Sequence, residues 1–241
     1  MAGTKATWDY LVLTASNDAQ ARAYESQLRL RRELGLLPGV HEAFVLADWD
    51  GRRIGSGGST LHCLAQVLNR EVRHRGLAPS DTSAGILLRG LRVLIVHAGG
   101  DSRRLPAYGP CGKIFIPLPS NERARLPVTL FDRMLPHFLE LPSGPPGCGQ
   151  ILVTAGDALI RFDASDVRFT SQGITALGCY ATPEEASRHG VFCVGSGGGV
   201  SLYLQKPSLA EQSTTRAIDE HGKTALDIGI THQNIPARIV L

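Results

Sequence analysis

Short apolar runs alternate along the chain with longer stretches whose apolar residues recur at helical spacing. Residues 10–15, Y-L-V-L-T-A, read as a strand and are closed by Ser16 and Asn17, residue types that cap a following helix. Over residues 18–34, Tyr24, Leu28 and Leu34 stand among arginines and glutamates, which predicts an amphipathic helix stopped near Gly35 and Pro38. Residues 43–47 form a second short strand. The glycine-rich stretch 54–61, I-G-S-G-G-S-T-L, then runs into a helix with Leu61, Leu64, Leu68 and Val72 on one face, capped by Ser59 or Thr60. Taken alone, that stretch is explained as well by a flexible turn. Residues 73–89 read as a surface connection.

The second half continues the alternation. Residues 93–96 have the length and β-branched content of a buried parallel strand. Residues 114–118 are extended between prolines. Residues 128–141 carry helical periodicity, with Pro136 expected to kink or divide the helix because it removes a backbone donor. Strands follow at 150–155 and 174–180, then a helical turn at 183–188. Residues 191–194 and 200–205 flank G-S-G-G-G as an antiparallel hairpin. Ser208 caps a helix reaching about Ala217, and residues 225–230, A-L-D-I-G-I, form a last strand. The whole predicts one α/β domain over residues 1–241 with a largely parallel sheet.

Chemistry concentrates where the strand at 93–96 breaks. Gly99 and Gly100 allow a tight turn and close approach of the backbone to a ligand. Ser102, Arg103 and Arg104 follow at once, with Lys113 nine residues after Arg104. Backbone N–H groups, a hydroxyl and successive cations after a strand suit a polyphosphate. An ordinary strand-to-loop turn with exposed arginines is the plainer alternative. Two acids stand on strands: Asp157 follows the strand at 150–155, where open α/β sheets bind ligands, and Asp227 lies within the last strand.

Composition narrows the class. The net charge of +3 and the absence of a basic run interleaved with aromatics favour neither nucleic acid nor a membrane surface as partner. No apolar run approaches the ~20 residues of a membrane span, and residues 1–9 carry no signal-peptide core. The five cysteines are odd in number and form no C-x-x-C pair, so they read as reduced residues of a cytoplasmic protein. The length supports a sizeable core.

In order, the chain carries G-G-D-S-R-R-L-P with Lys113, T-A-G-D, R-H-G-V with L-Q-K-P, and D-I-G. That order resembles the sugar-phosphate nucleotidyltransferases. Within them it is most similar to the GDP-fucose pyrophosphorylase domain of bifunctional fucokinase/fucose-1-phosphate guanylyltransferases, through H-A-G-G-D-S-R-R-L-P, R-H-G-V-F, L-Q-K-P-S, D-I-G-I and the upstream G-S-G-G-S-T-L. The likeness runs from about residue 8 to residue 230. Ser102 in place of a glycine and Gln205 in place of a glutamate depart from the wider superfamily toward the fucose branch.

The resemblance implies a three-layer, mostly parallel Rossmann-like sheet of the nucleotidyltransferase type with an antiparallel hairpin. It implies transfer of a nucleotidyl group from GTP to a sugar 1-phosphate, of which L-fucose 1-phosphate fits best. Arg104 and Lys113 would be catalytic. Gly55, Gly57, Gly58, Gly99, Gly100, Ser102 and Arg103 would bind the nucleotide, with the first three near guanine. Asp157 and Asp227 would hold Mg²⁺, and His189, Gly190 and Lys206 would meet the sugar phosphate. The family continues beyond D-I-G-I, and its bifunctional members add a sugar-kinase domain. Here T-H-Q-N-I-P-A-R-I-V-L follows and no glycine-serine ATP loop occurs, so a product truncated at its C-terminus, a fragment or a stripped homologue without a kinase domain within residues 1–241 is expected. A fused or separate sugar-kinase domain is the partner the resemblance implies. The alternative expectation is a catalytically weak nucleotide- and sugar-phosphate-binding module.

Overall fold

The computed structural model describes residues 7–77, 84–100, 106–109, 112–119, 126–145, 147–170 and 173–235. It is a mixed α/β structure that divides into two compact units, Met1–Thr175 with His232–Leu241, and Ala176–Thr231.

In the first unit, strands β1 (Trp8–Ala15), β2 (Val40–Ala47), β3 (Arg92–His97) and β4 (Gly149–Ala155) lie parallel in the order β2-β1-β3-β4. Alternation along these strands decides what covers each face. Tyr10, Val12, Val93 and Ile95 pack with Phe44 against Cys63 and Val67 of helix α2 (Gly55–His74). Leu94 and Val96 point the other way, and Val96 meets Met134 and Phe138 of helix α4 (Leu130–Leu139). Helix α1 (Asp18–Glu33) lies beside α4, joined to it through Arg31 and Asp132. Helices therefore cover both faces, and for that reason β1 and β3 read as nearly continuous apolar runs.

Strand β1 leads outward to β2, and the chain then recrosses β1 to reach β3. This reversal leaves a crevice beyond the carboxyl ends of β1 and β3, where open parallel sheets take their ligands.

Several sequence expectations are corrected. Helix α2 starts at Gly55, not after Thr60, so the G-S-G-G-S-T stretch is its first turns; Ser59 does not cap it but donates to Asp48 at 2.6 Å. Residues 73–89 are not all surface connection: α2 runs to His74, and a short helix α3 (Ala84–Leu88) buries Leu87. Lys113–Phe115 is a 3-10 turn, with only Pro117 in an extended bridge, to Thr129. Pro136 sits inside an undivided α4. Six apolar side chains of α4 are buried. At about 1.5–3 kcal/mol each, they outweigh a proline cost of about 3 kcal/mol.

His232 and Asn234 belong to the end of strand β8 (Thr224–Ile235), which continues five residues past the expected Ile230. The His232 ring is 1% exposed and stacks on Phe169, with centroids 3.5 Å apart. Among the described residues neither ring nitrogen has a hydrogen-bond partner. Burial first, and the nearby Arg92 second, push the imidazole down to about 4. The unfolded chain thus takes up this proton near the ordinary pH 6.5, and the folded chain only near 4. Stability is accordingly expected to fall by about 3 kcal/mol as pH drops through that window. Urea unfolding at pH 7 and 4.5 should show the loss, and His232→Phe should remove most of it.

The second unit is antiparallel. β6 (Gly190–Val194) pairs with β7 (Val200–Gln205) and with β8, and β5 (Ile174–Ala181) also pairs with β8. The expected hairpin is present around G-S-G-G-G. Helices α5 (Pro183–Ala186) and α6 (Leu209–Thr214) both start with capping boxes, from Thr182 and Ser208. The buried Gln212 ties them together: its amide donates to the carbonyls of Pro183 and Pro207 and accepts from Thr224. Helix α6 ends three residues before the expected Ala217, and Arg216 then takes the left-handed conformation at φ 55°.

Of the five cysteines, Cys63 and Cys193 are buried, Cys148 is half-buried, Cys179 is exposed and all four are free thiols; Cys111 lies outside the described residues. Among the described residues no helix is long and apolar enough to cross a membrane.

Candidate active site

At the carboxyl ends of the four parallel strands lies a cavity of about 540 Å³. Thr14, Ala15 and Ser16 reach it from β1, Asp48 from β2, His97 to Gly100 from β3, and Gly156 and Asp157 from β4. Lys113 enters from the loop before α4, and Arg53, Gly55, Ser56 and Ser59 come from the start of α2.

The turn after β3 is held by the end of β1. The Thr14 hydroxyl accepts from the N–H groups of Ala98 and Gly99, and Ser16 Oγ accepts from the N–H of Gly100 at 3.2 Å. Gln20, buried in α1, accepts from Ser16 and donates to the carbonyls of Gly100 and Gly109. A side chain at Gly99 would press on the Ala15–Ser16 backbone at 3.2 Å, and one at Gly156 on the His97 carbonyl at 2.9 Å. Both glycines are required by this close approach of β1, β3 and β4. Gly112 has φ 61° and would collide with the Tyr24 hydroxyl, which itself donates to the Ala98 carbonyl.

Charge is divided across the cleft. At one end Lys113 Nζ stands 2.9 Å from Asp157 Oδ2, and both side chains are substantially exposed. At the other end Asp48 accepts from Ser59. Between them His97 shares a hydrogen bond with the Thr60 hydroxyl at 2.9 Å. Burial lowers the affinity of His97 for a proton, and Asp48 opposes this only in part. The imidazole is therefore a neutral polar group near pH 7.

The sequence-predicted residues that the structure describes fall into two groups. Gly55, Gly99, Gly100, Lys113 and Asp157 line this one cavity, with Gly57 and Gly58 in the adjoining first turns of α2. Ser102, Arg103 and Arg104 lie outside the described residues. His189, Gly190, Lys206 and Asp227 converge in the second unit. The Lys206 N–H donates to the His189 carbonyl at 2.8 Å, and Gly190 opposes Gln205. A side chain at Gly190 would strike the Tyr203 hydroxyl, which donates to Asp227 at 3.1 Å. Asp227 also accepts from the Gly229 N–H at 2.7 Å. Burial and the Asp227 carboxylate make the Tyr203 hydroxyl harder to ionise.

Sequence reasoning missed Thr14, Ser16, Asp48 and His97. Their signal was present: each is a polar residue at or just beyond the carboxyl end of an apolar strand, the position that singled out Asp157.

The family model of the fucose pyrophosphorylase domain matches residues 86–234. The chain belongs to this family. It is 33% identical over 245 residues to a bifunctional fucokinase/GDP-fucose pyrophosphorylase of Arabidopsis thaliana, covering 93% of this chain and 23% of that protein. It is 29% identical to a fucose-1-phosphate guanylyltransferase of Mus musculus, over 88% of this chain and 35% of that one. An L-fucokinase/L-fucose-1-P guanylyltransferase of Bacteroides fragilis is 32% identical over 78% of this chain and 19% of its own length. The chain thus spans between about a fifth and about a third of the length of these curated relatives. No solved structure matches it significantly.

The fucose pyrophosphorylase family implies a divalent cation, and the donor set can be tested against Mg²⁺. Among the described residues no three His, Cys, Asp or Glu side chains cluster as a ready-made cage. Mg²⁺ needs none, because it takes one or two carboxylates and fills its shell from phosphate and water. The exposed Asp157 carboxylate at the Lys113 end of the cleft fits that role, with Lys113 in reach as counter-charge.

Proposed function

We propose that this chain is a sugar-1-phosphate guanylyltransferase of the nucleotidyltransferase type, which joins L-fucose 1-phosphate to GTP to give GDP-fucose and pyrophosphate. The observation that carries the reading is the pairing of Lys113 and Asp157 beside the glycine turn at Gly99–Gly100, in a cleft at the strand reversal. Membership of the fucose pyrophosphorylase family supplies the substrate class.

In the reaction an oxygen of the sugar phosphate attacks the α-phosphorus of GTP. The bond from that phosphorus to the bridging oxygen breaks, and pyrophosphate leaves with the electron pair. Such a transfer needs positioning and neutralisation of charge more than covalent help. The side chains of Ser102, Arg103 and Arg104 grip the β- and γ-phosphates, which the bare backbone at Gly99 and Gly100 allows to come close. Lys113 stabilises the negative charge that develops on the phosphates as pyrophosphate leaves. Asp157 would serve as a Mg²⁺ carboxylate, and the cation would supply Lewis-acid neutralisation of phosphate charge when bound. His189, Gly190 and Lys206 receive the sugar phosphate, with the Lys206 backbone set by its bond to the His189 carbonyl.

Titration calorimetry with Mg²⁺–GTP should give saturable binding. Arg104→Ala is expected to weaken it by about 1.5–3 kcal/mol, the scale of a charge-assisted hydrogen bond. Unchanged affinity in a folded Arg104→Ala protein would remove Arg104 from the clamp.

A further inference from the structure

Resting on the guanylyltransferase reading, we propose that Asp48 selects guanine, accepting hydrogen bonds from the N1–H and 2-amino groups of the base at the end of the cleft opposite Lys113. Three observations lead there.

The first is position. Asp48 follows β2 directly, and its N–H donates to the Ala15 carbonyl, so it is fixed beside the end of β1. With neighbouring strands about 4.8 Å apart, β2 ends roughly 10 Å from the phosphate turn that follows β3. A nucleotide whose phosphates lie at Gly99–Gly100 reaches Asp48 with its far end, the base.

The second is charge. A carboxylate repels phosphate, so Asp48 is misplaced in a cleft that took phosphate along its full length. It suits a neutral group rich in donors. The guanine edge offers two adjacent N–H donors, whereas adenine places an acceptor, N1, beside its amino group. An ionised carboxylate can only accept, and therefore favours the first edge and is penalised by the second.

The third is preparation. Ser59, itself buried, donates to Asp48 Oδ1 at 2.6 Å and fixes the rotamer. Among the described residues Oδ2 carries no hydrogen bond. The neighbouring rim is open backbone: Gly55 takes φ 74°, and a Cβ at Gly55 or Gly57 would meet nothing within 4 Å. A flat ring can lie against this bare backbone, with Arg53 also lining the cavity.

Ribose hydroxyls also donate to carboxylates, so the test separates base from sugar. Binding of GTP, ITP (which lacks the 2-amino group), 2′-deoxy-GTP and ATP is measured by calorimetry on the 241-residue chain and on Asp48→Asn. The wild-type chain should bind GTP about 10–100-fold more tightly than ITP, the scale of a hydrogen bond to a charged group, and ATP more weakly still. Asp48→Asn should erase the GTP-over-ITP preference, with ITP affinity changed far less than that of GTP. Ser59→Ala should reduce the preference without abolishing binding. Equal wild-type affinity for GTP and ITP overturns the proposal, and that result does not depend on any variant folding. So does a loss in Asp48→Asn that is equal for GTP and ITP but absent for 2′-deoxy-GTP, which assigns Asp48 to the ribose. A wild-type chain that binds no nucleoside triphosphate defeats the guanylyltransferase reading itself, a distinct outcome.

Discussion

Replacing Lys113 with alanine is expected to lower turnover about 10²–10³-fold, the cost of removing one preorganised group that stabilises transition-state charge, while barely changing stability. The Lys113–Asp157 pair is short, at 2.9 Å, but its side chains are 39% and 55% exposed. An exposed ion pair contributes at most about 1 kcal/mol to folding. In the proposed reaction the same ammonium would meet developing negative charge. The two effects separate cleanly: urea unfolding should give nearly the wild-type midpoint, and the rate of pyrophosphate release should collapse. Comparable losses in both would make Lys113 a structural residue.

Arg31→Ala should destabilise the first unit by about 3 kcal/mol, because it empties a buried, multiply bonded site and leaves the half-buried Asp132 carboxylate without its counter-charge. Arg31 is 1% exposed and holds Asp132 through two bonds, Nε to Oδ1 at 2.6 Å and Nη2 to Oδ2 at 2.7 Å. The guanidinium also donates to Gln27 and Thr129 and lies over the rings of Phe115 and Phe131. Burial alone would raise the Asp132 carboxyl, but the hydrogen bonds from Arg31 and Thr129, with the guanidinium charge, hold it below its ordinary value. The stabilisation is therefore complete above the ordinary carboxylate range and is lost as pH falls through the lowered value. Denaturant unfolding between pH 7 and 2 should show this acid loss in the wild type and little of it in Arg31→Ala. Arg31→Met with Asp132→Leu should recover much of the stability by replacing the pair with apolar packing.

Sequence made the parallel half legible because its strands are buried on both faces and read as uninterrupted apolar runs. The strand ends at Ala15, His97 and Ala155 stand where the apolar pattern stops, and the glycine turn at Gly99–Gly100 and Asp157 follow from that. What misled was local chemistry overridden by tertiary contacts. Glycines and serines at the start of α2 read as loop, yet Asp48 takes the Ser59 hydroxyl and the helix begins before it. Pro136 read as a break, yet the buried face of α4 carries the helix through it. The last strand read as ending at Ile230, yet β8 continues to Ile235, because alternate residues His232 and Asn234 are buried. Asp48 and His97 were overlooked because a lone acid or histidine after a strand becomes informative only when strand order brings several such ends together.

The central claim is that this chain joins a sugar 1-phosphate to GTP. Pyrophosphate release measured on the 241-residue chain, with GTP, Mg²⁺ and L-fucose 1-phosphate, tests it most directly. Release should require both GTP and the sugar phosphate, yield GDP-fucose in equal amount, and disappear in Lys113→Ala. Saturable GTP binding with no pyrophosphate released would contradict it, and would make the chain a nucleotide-binding module instead of an enzyme.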